Sequence, residues 1–267
     1  MLKTVVLICI VVIAAVVLYV SYAISGFSAG PVATTYEELR PTLETGDLIM
    51  FSCHWHTSKF QQLFYLMRTR MLGSEYGHVG IVYKTEGGDL YLLEGVAAGH
   101  VADGKGYPLN NQGLGGVRLI ELDLIMKEYH EGEGIGGGAT FAVIPCSKPM
   151  SNAEIEAHID IYRDRIFESF TMLSALAAAD LFVGQKAAQA FLKHAEKTDP
   201  KRVQRITCSE FVFDLLYKCD RIEPYYQTSD AECTAKLFWP ARFVDGTFHK
   251  LSKVKYGSPI KYVYTGV

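Results

Sequence analysis

The chain has 267 residues, of which 49% are hydrophobic and 21% are charged, and its formal net charge is −3 at pH 7. This length is enough for one domain with a substantial core. The apolar content excludes a disordered chain, and the weak negative charge argues against a nucleic-acid-binding surface, so we expect no nucleic-acid partner.

The N-terminus carries an apolar run over residues 4–24 that contains no charged side chain. A helix needs about 20 residues to cross a bilayer, whereas the apolar core of a signal peptide has about 7–15. The run therefore predicts a single-pass transmembrane anchor over residues 1–24, which makes the lipid bilayer a partner. A cleaved signal with Ser21 and Ala23 before the cut and a buried core helix are the alternatives, and Lys3 only weakly favours a cytosolic N-terminus.

A linker rich in glycine is predicted over residues 25–35, followed by the first elements of the folded domain. Thr35 and Glu38 have the spacing of a capping box, which predicts a short helix. The apolar run at residues 48–51 predicts a buried strand, and a second helix is expected from about Lys59 to Met71.

The clearest β pattern is a hairpin over residues 78–94, where two apolar runs flank a Gly-Gly turn. If residues 86–88 form the whole loop, Gly80 pairs with Glu94, and the side chains of His78 and Glu94 lie diagonally on one face. A two-residue loop would place these two side chains on opposite faces.

Further strands are predicted at Val117–Leu122 and Thr140–Pro145, with a glycine-dense loop at residues 131–138 between them. Ser151 begins another capping-box pattern, and the apolar spacing after it predicts helices that fill Asn152 to Lys197.

Cys208 is the residue with the best local setting for a nucleophile. Thr207 and Glu210 form a third capping-box pair, before an apolar stripe that includes Phe211 and Val212. This predicts that Cys208 lies in the first turn of a helix, where the positive end of the helix dipole favours the nucleophilic thiolate. The alternative is an ordinary buried cysteine that begins a helix.

A thiolate nucleophile requires a base and a group that orients the base. His78 is the candidate base because it opens a strand, and Glu94 is the candidate orienting group because the hairpin brings it to the same face. A surface histidine and a solvated carboxylate at a strand end are the alternatives.

At these positions the chain resembles the circularly permuted NlpC-type papain-fold cysteine hydrolases, a group that includes the lecithin:retinol acyltransferase-like enzymes. The matching segments are the turn Gly46-Asp47 before a strand, the histidine strand Gly77–Val82, the strand-end Glu94 and the cysteine helix Thr207–Val212. The order of histidine, glutamate and cysteine along the chain is the permuted order of that group.

The resemblance implies a thiol-dependent hydrolase or acyltransferase that attacks an amide, ester or thioester, in which Cys208, His78 and Glu94 match the nucleophile, the base and the polar third member. We expect an α+β, permuted papain-like fold over residues 36–267, with a small antiparallel sheet packed on the cysteine helix. A helical insertion over about 147–205 departs from the simplest members, and it would either cover the site or dock a partner.

The remaining cysteines and histidines leave two questions open. Five cysteines lie outside the apolar run, which suits two disulfides and one thiol in an exported domain, or five thiols in the cytosol. The segment Cys53-His54-Trp55-His56 looks like the start of a metal site but lacks a second cluster, so we expect no metal and no cofactor. The alternative function is a non-catalytic, membrane-anchored binding or structural module on the same fold.

Overall fold

The computed structural model describes residues 32–52, 74–97, 107–108, 115–131, 140–168, 172, 176, 185–199, 201, 205–224 and 239–266. Within these ranges the chain has an α+β architecture with a mixed sheet and several helices. The strands are β1 Thr34–Thr35, β2 Leu48–Ser52, β3 Tyr76–Lys84, β4 Leu90–Ala97, β5 Tyr107–Pro108, β6 Gly115–Glu121, β7 Phe141–Ile144, β8 Ile166–Phe167, β9 Arg205–Ile206 and β10 Ile260–Val263. The helices are α1 Tyr36–Leu39, α2 Leu122–Glu131, α3 Asn152–Ile159, α4 Gln185–Thr198, α5 Cys208–Lys218 and α6 Thr247–Leu251.

In the described part of the chain the main sheet has eight strands in the order β1-β10-β7-β2-β3-β4-β6-β5. Strands β1 and β10 are parallel, and every other pair of neighbours is antiparallel. The prediction of a small, wholly antiparallel sheet was therefore wrong: the described sheet has eight strands, and the pair β1 and β10 is parallel. The physical reason is that the two ends of the domain pair with each other, through strands too short to show an alternating pattern.

The sheet separates two hydrophobic clusters, because successive side chains of a strand point to opposite faces. On the first face, Val79 and Leu93 pack with Phe211 and Val212 of α5. The second cluster contains alternate residues of the same strands, with the buried side of α2 packed on them. The cysteine helix and α2 thus cover opposite faces of one sheet.

The predicted insertion is less helical than expected. The helix predicted from Asn152 is confirmed, but it ends at Ile159, and Ile166–Phe167 form the strand β8. Strand β8 pairs in parallel with β9, and the N–H of Glu168 donates to the carbonyl of Ile206 at 2.9 Å. These backbone hydrogen bonds favour a strand where the sequence pattern suggested helix, and they tie the insertion to the residues directly before α5.

Several expectations fall on residues outside the described ranges: the anchor over residues 1–24, the helix from Lys59 to Met71 and the segment Cys53–His56. Among the helices of the described ranges, none has both the length and the apolar character that a bilayer crossing requires.

Candidate active site

The start of α5 is fixed by the capping box that the sequence predicts. The backbone N–H of Glu210 donates to Thr207 Oγ1 at 3.0 Å, and the backbone N–H of Thr207 donates to Glu210 Oε2 at 3.2 Å. Cys208 is therefore the first residue of the helix, as expected, and only 7% of it is exposed. Phe211 and Val212 are fully buried, so the first turn cannot shift without disturbing the core.

Gly95 allows this helix start to approach the sheet closely. A Cβ atom at Gly95 would lie 3.3 Å from the Cα of Cys208 and 3.3 Å from the carbonyl oxygen of Thr207. Since few real Cβ atoms make contacts this short, the bare backbone of glycine is what fits here. Cys208 is thereby held against β4, next to Glu94.

The hairpin of β3 and β4 has the register that places His78 and Glu94 together. The N–H of Thr85 donates to the carbonyl of Asp89 at 2.9 Å, and Gly80 pairs with Glu94, so the three-residue loop is confirmed. His78 Nε2 and Glu94 Oε2 are 2.5 Å apart, and both residues are buried. The diagonal contact predicted from the sequence is therefore present.

The ladder between β3 and β4 ends at the pair Gly80 and Glu94, and the start of α5 rests on Gly95 immediately beyond it. By strand alternation, His78 projects to the same face as Val82, which packs with α2, whereas α5 covers the other face. Cys208 thus meets His78 where the paired part of the hairpin stops, and a side-chain hydrogen bond joins the two residues.

Aromatic rings enclose the imidazole on the second face. The ring of Phe51, on the neighbouring strand, has its centre 5.4 Å from that of His78. The ring of Tyr129, from α2, lies at 6.3 Å and nearly parallel to the imidazole, with 17° between the planes. These contacts limit the rotation of the imidazole and reduce its contact with water, which strengthens its polar interactions.

Arg118 is a fourth member of this cluster that the sequence analysis did not identify. It faces Glu94 directly across β4 and β6, and its Nε and Nη2 atoms each lie 2.8 Å from Glu94 Oε1. Only 1% of Arg118 and none of Glu94 is exposed. The available signal was a lone charged residue in the otherwise apolar run Val117–Ile120, which a buried strand tolerates only when the charge has a partner.

The electrostatics favour charged forms of both His78 and Glu94. Burial alone would lower the pKa of His78, but the negative charges of Cys208 and Glu94, with hydrogen bonds to both, raise it to about 10. Burial alone would raise the pKa of Glu94, but the positive charges of His78 and Arg118 bring it below its ordinary value. The site therefore favours an imidazolium beside the Glu94 carboxylate, with Cys208 as the second hydrogen-bond partner of the imidazole.

This arrangement assigns a separate role to each nitrogen of the imidazole. Glu94 accepts the proton of Nε2, so Nδ1 is the nitrogen that remains for Cys208. When the imidazole is neutral, the carboxylate keeps the proton on Nε2, and Nδ1 is then an acceptor. An acceptor beside a thiol at a helix N-terminus is the geometry in which a histidine removes the thiol proton.

The other described cysteines lie elsewhere. Cys146, Cys208 and Cys219 are all reduced thiols; the first donates to the carbonyl of Lys148 at 3.0 Å and the last to that of Glu154 at 3.4 Å. Cys53 and Cys233 lie outside the described residues.

Comparison with models of known protein families gives no match for this chain. The chain is 31% identical over 233 residues to the uncharacterized protein R372 of Acanthamoeba polyphaga mimivirus. The aligned region covers 86% of this chain and 85% of the viral protein, so the similarity extends over most of both.

Proposed function

We propose that this chain, which belongs to the same protein family as the mimivirus protein R372, is a cysteine hydrolase or acyltransferase with a permuted papain-like fold. Cys208 is the nucleophile, His78 is the base, and Glu94 orients the imidazole. The observation that carries the proposal is the buried, hydrogen-bonded series from Cys208 through His78 to Glu94. Core packing alone gives no reason to place three ionisable groups in this order.

The reaction proceeds through an acyl-enzyme. His78 Nδ1 holds the proton of Cys208, the sulfur attacks the carbonyl carbon of an amide, ester or thioester, and the carbonyl electrons move to its oxygen. The helix N-terminus favours that negative charge. The oxygen electrons then re-form the carbonyl, the leaving group departs with the proton from His78, and a thioester on Cys208 remains. Water, or a second nucleophile, releases the acyl group by the same steps in reverse order.

The permuted fold is supported by the order of the elements along the chain. The histidine strand β3 and the glutamate strand β4 precede the cysteine helix α5, which packs on the sheet that they form. The insertion is attached to this site through β8 and β9, because β9 ends one residue before Thr207. We infer that the insertion contributes to substrate selection, since it joins the chain directly before the N-terminus of the cysteine helix.

The test is acylation of the purified protein by p-nitrophenyl acetate, with the acetyl group located by mass spectrometry. We expect a thioester on Cys208 in the wild type, none in Cys208→Ala, and much slower acylation in His78→Ala. Cys219 is an internal control, because burial and the nearby charge of Glu154 raise its pKa to about 11. If Cys208 reacts no faster than Cys219, the protein is a binding or structural module and the enzymatic proposal is wrong.

A further inference from the structure

Glu94 has an environment that an orienting carboxylate alone does not need. It has no solvent exposure, and a buried carboxylate is costly unless cations and hydrogen bonds compensate it. Its two oxygens are divided between two cations: Oε2 contacts His78, and Oε1 contacts Arg118. The imidazole and the guanidinium thus hold the carboxylate from two sides.

We propose that Arg118 is a positioning residue of the active site: its guanidinium keeps Glu94 in the carboxylate form that accepts the proton of His78 Nε2, and so leaves Nδ1 to Cys208. This inference rests on the proposed function. Arg118 does not touch the reacting atoms, and its effect reaches Cys208 only through Glu94 and His78.

The backbone fixes the geometry of this contact. Glu94 and Arg118 are directly opposed, and the flanking pairs Leu93 with Leu119 and Gly95 with Val117 belong to the same ladder. Both Nε and Nη2 of Arg118 reach one carboxylate oxygen at 2.8 Å, a forked contact that the single ammonium of a lysine does not reproduce. The guanidinium is therefore oriented as well as charged.

The charges of the cluster alternate along the series of thiolate, imidazolium, carboxylate and guanidinium, so they cancel when all four groups are ionised. The buried titratable groups on the elements packed against β4 are Tyr76 and His78 of β3, Arg118 of β6, Cys208 and Glu210 of α5, Glu128 and Tyr129 of α2, and Glu168 after β8. Glu210, Glu128 and Glu168 are acidic, so none of them replaces the positive charge of Arg118.

Loss of that positive charge would make the cluster take up a proton. If Cys208 takes the proton, the nucleophile is lost directly. If Glu94 takes it, the neutral carboxyl group donates to Nε2, and a neutral imidazole then carries its proton on Nδ1, which is the tautomer that cannot accept from the thiol. Both routes lower the thiolate fraction at a given pH.

The experiment measures the rate at which iodoacetamide alkylates Cys208 in the full-length protein from pH 5 to pH 10. Mass spectrometry identifies the alkylated residue. Relative to the wild type, Arg118→Gln should move the pH profile of alkylation to higher pH and slow alkylation at pH 6 by about tenfold or more. The reason is that an opposite charge within about 4–6 Å typically lowers the pKa of a carboxyl group by about 1–3. Arg118→Lys keeps the charge but not the forked contact, so its profile should lie between those of the wild type and Arg118→Gln.

The same substitution in a Glu94→Gln background separates positioning from simple structural damage. Because the carboxylate through which Arg118 acts is then absent, the added Arg118→Gln should change the profile much less than it does in the wild type. If Arg118→Gln alone does not fold, the double variant, which removes both charges together, is compared with Glu94→Gln alone: coincident profiles support the inference, and a further shift to higher pH overturns it.

Arg221→Gln is the matched control, since it removes another buried arginine that contacts a glutamate, Glu154, at 2.5 Å. It should lower stability and leave the alkylation profile in place. The inference is overturned if Cys208 is activated in the wild type and Arg118→Gln leaves its profile unchanged, or shifts it equally in both backgrounds. If instead the wild-type profile is that of an ordinary thiol, the proposed function itself fails.

Discussion

His78 is the residue on which the proposed chemistry depends, because each of its nitrogens has one partner. Nε2 contacts Glu94, which leaves Nδ1 for the hydrogen bond to Cys208 that we propose. Substitution of His78 therefore removes both the base and the positive charge that stabilises the thiolate. If His78 were only structural, its substitution would lower stability without changing the chemistry of Cys208.

The first prediction is that alkylation of Cys208 depends on His78. In the wild type, alkylation should persist well below pH 8.5, the range of an ordinary thiol, because the imidazolium and the helix N-terminus both favour the thiolate. His78→Ala should move the profile up towards that range, and Glu94→Gln should have a smaller effect since it acts through the histidine. Coincident profiles of the wild type and His78→Ala near the ordinary thiol range would contradict the proposed pair.

The second prediction concerns stability at high pH. A histidine whose folded pKa is raised to about 10 contributes stability that is fully present below its unfolded pKa, about 6.5, and is lost as pH rises through about 10. In the unfolded chain the thiol loses its proton near pH 8.5, whereas in the folded state the imidazolium keeps its proton up to about pH 10. Between about pH 8.5 and pH 10 the folded state therefore holds one more proton than the unfolded state. The stability of the wild type relative to a Cys208→Ala/His78→Gln variant should therefore decrease over that window.

Chemical denaturation at pH 8, 9 and 10 measures this difference. The double variant lacks both titrating groups, so it corrects for the tyrosines and lysines that titrate in the same range. A stability difference that is constant or increases between pH 8.5 and 10 would show that the folded protein does not retain the imidazolium proton.

At the scale of elements, capping boxes decide where the helices begin. The spacing of Thr35, Ser151 and Thr207 to a glutamate three residues later predicts three helix starts, and all three are confirmed with both reciprocal hydrogen bonds. The hairpin register is likewise predictable, because a three-residue loop fixes the pairing of Gly80 with Glu94. The candidate site follows from these local rules.

The remaining elements depend on contacts that sequence patterns do not record. Helix α2 follows β6 without any intervening residue, so no glycine or proline marks the change. Strands β1, β8 and β9 have two residues each, too short for periodicity. Arg118 was missed for a related reason: its role depends on the residue opposite it on β4, and the pairing of β4 with β6 spans glycine-rich sequence with no fixed loop length.

The third prediction compares two capping boxes with the same chemistry. Thr207→Ala and Ser151→Ala each remove an N-cap side chain that accepts from a backbone N–H, and each should lower the free energy of unfolding by about 0.5–2 kcal/mol. Only Thr207→Ala should also slow the alkylation of Cys208 at pH 7, because only that cap fixes the first turn of α5. Equal reactivity in the two variants would mean that the cap does not position the thiol.

The fourth prediction uses the close approach at Gly95. A methyl group there would press on Thr207 and Cys208 at 3.3 Å, so Gly95→Ala should displace the helix start and slow alkylation of Cys208 at pH 7 by about tenfold. Gly87→Ala is the control, since its added Cβ would have ordinary contacts at 3.6 Å in the hairpin loop. Unchanged alkylation in Gly95→Ala, measured beside this control, would show that the site tolerates a shift of the helix.

At the scale of the whole molecule, the two ends of the domain meet at one edge of the sheet. Strand β1 begins two residues after the first described residue and pairs with β10 close to the C-terminus. Strand β3, which carries His78, is four strands away in the sheet order, or about 19 Å at about 4.8 Å per strand. A bilayer anchor before β1 would therefore join the domain at this edge, four strands from the strand that carries His78.

The last prediction is that the full-length chain is an integral membrane protein through residues 4–24. Alkaline carbonate removes proteins held by charge alone, so the intact chain should stay in the membrane pellet because about 20 apolar residues cross the bilayer. A chain that lacks residues 1–31 keeps every described element, and it should appear in the supernatant with the alkylation profile of Cys208 unchanged. Release of the intact chain by carbonate would contradict the anchor, and a mature N-terminus near Ile24 would identify a cleaved signal instead.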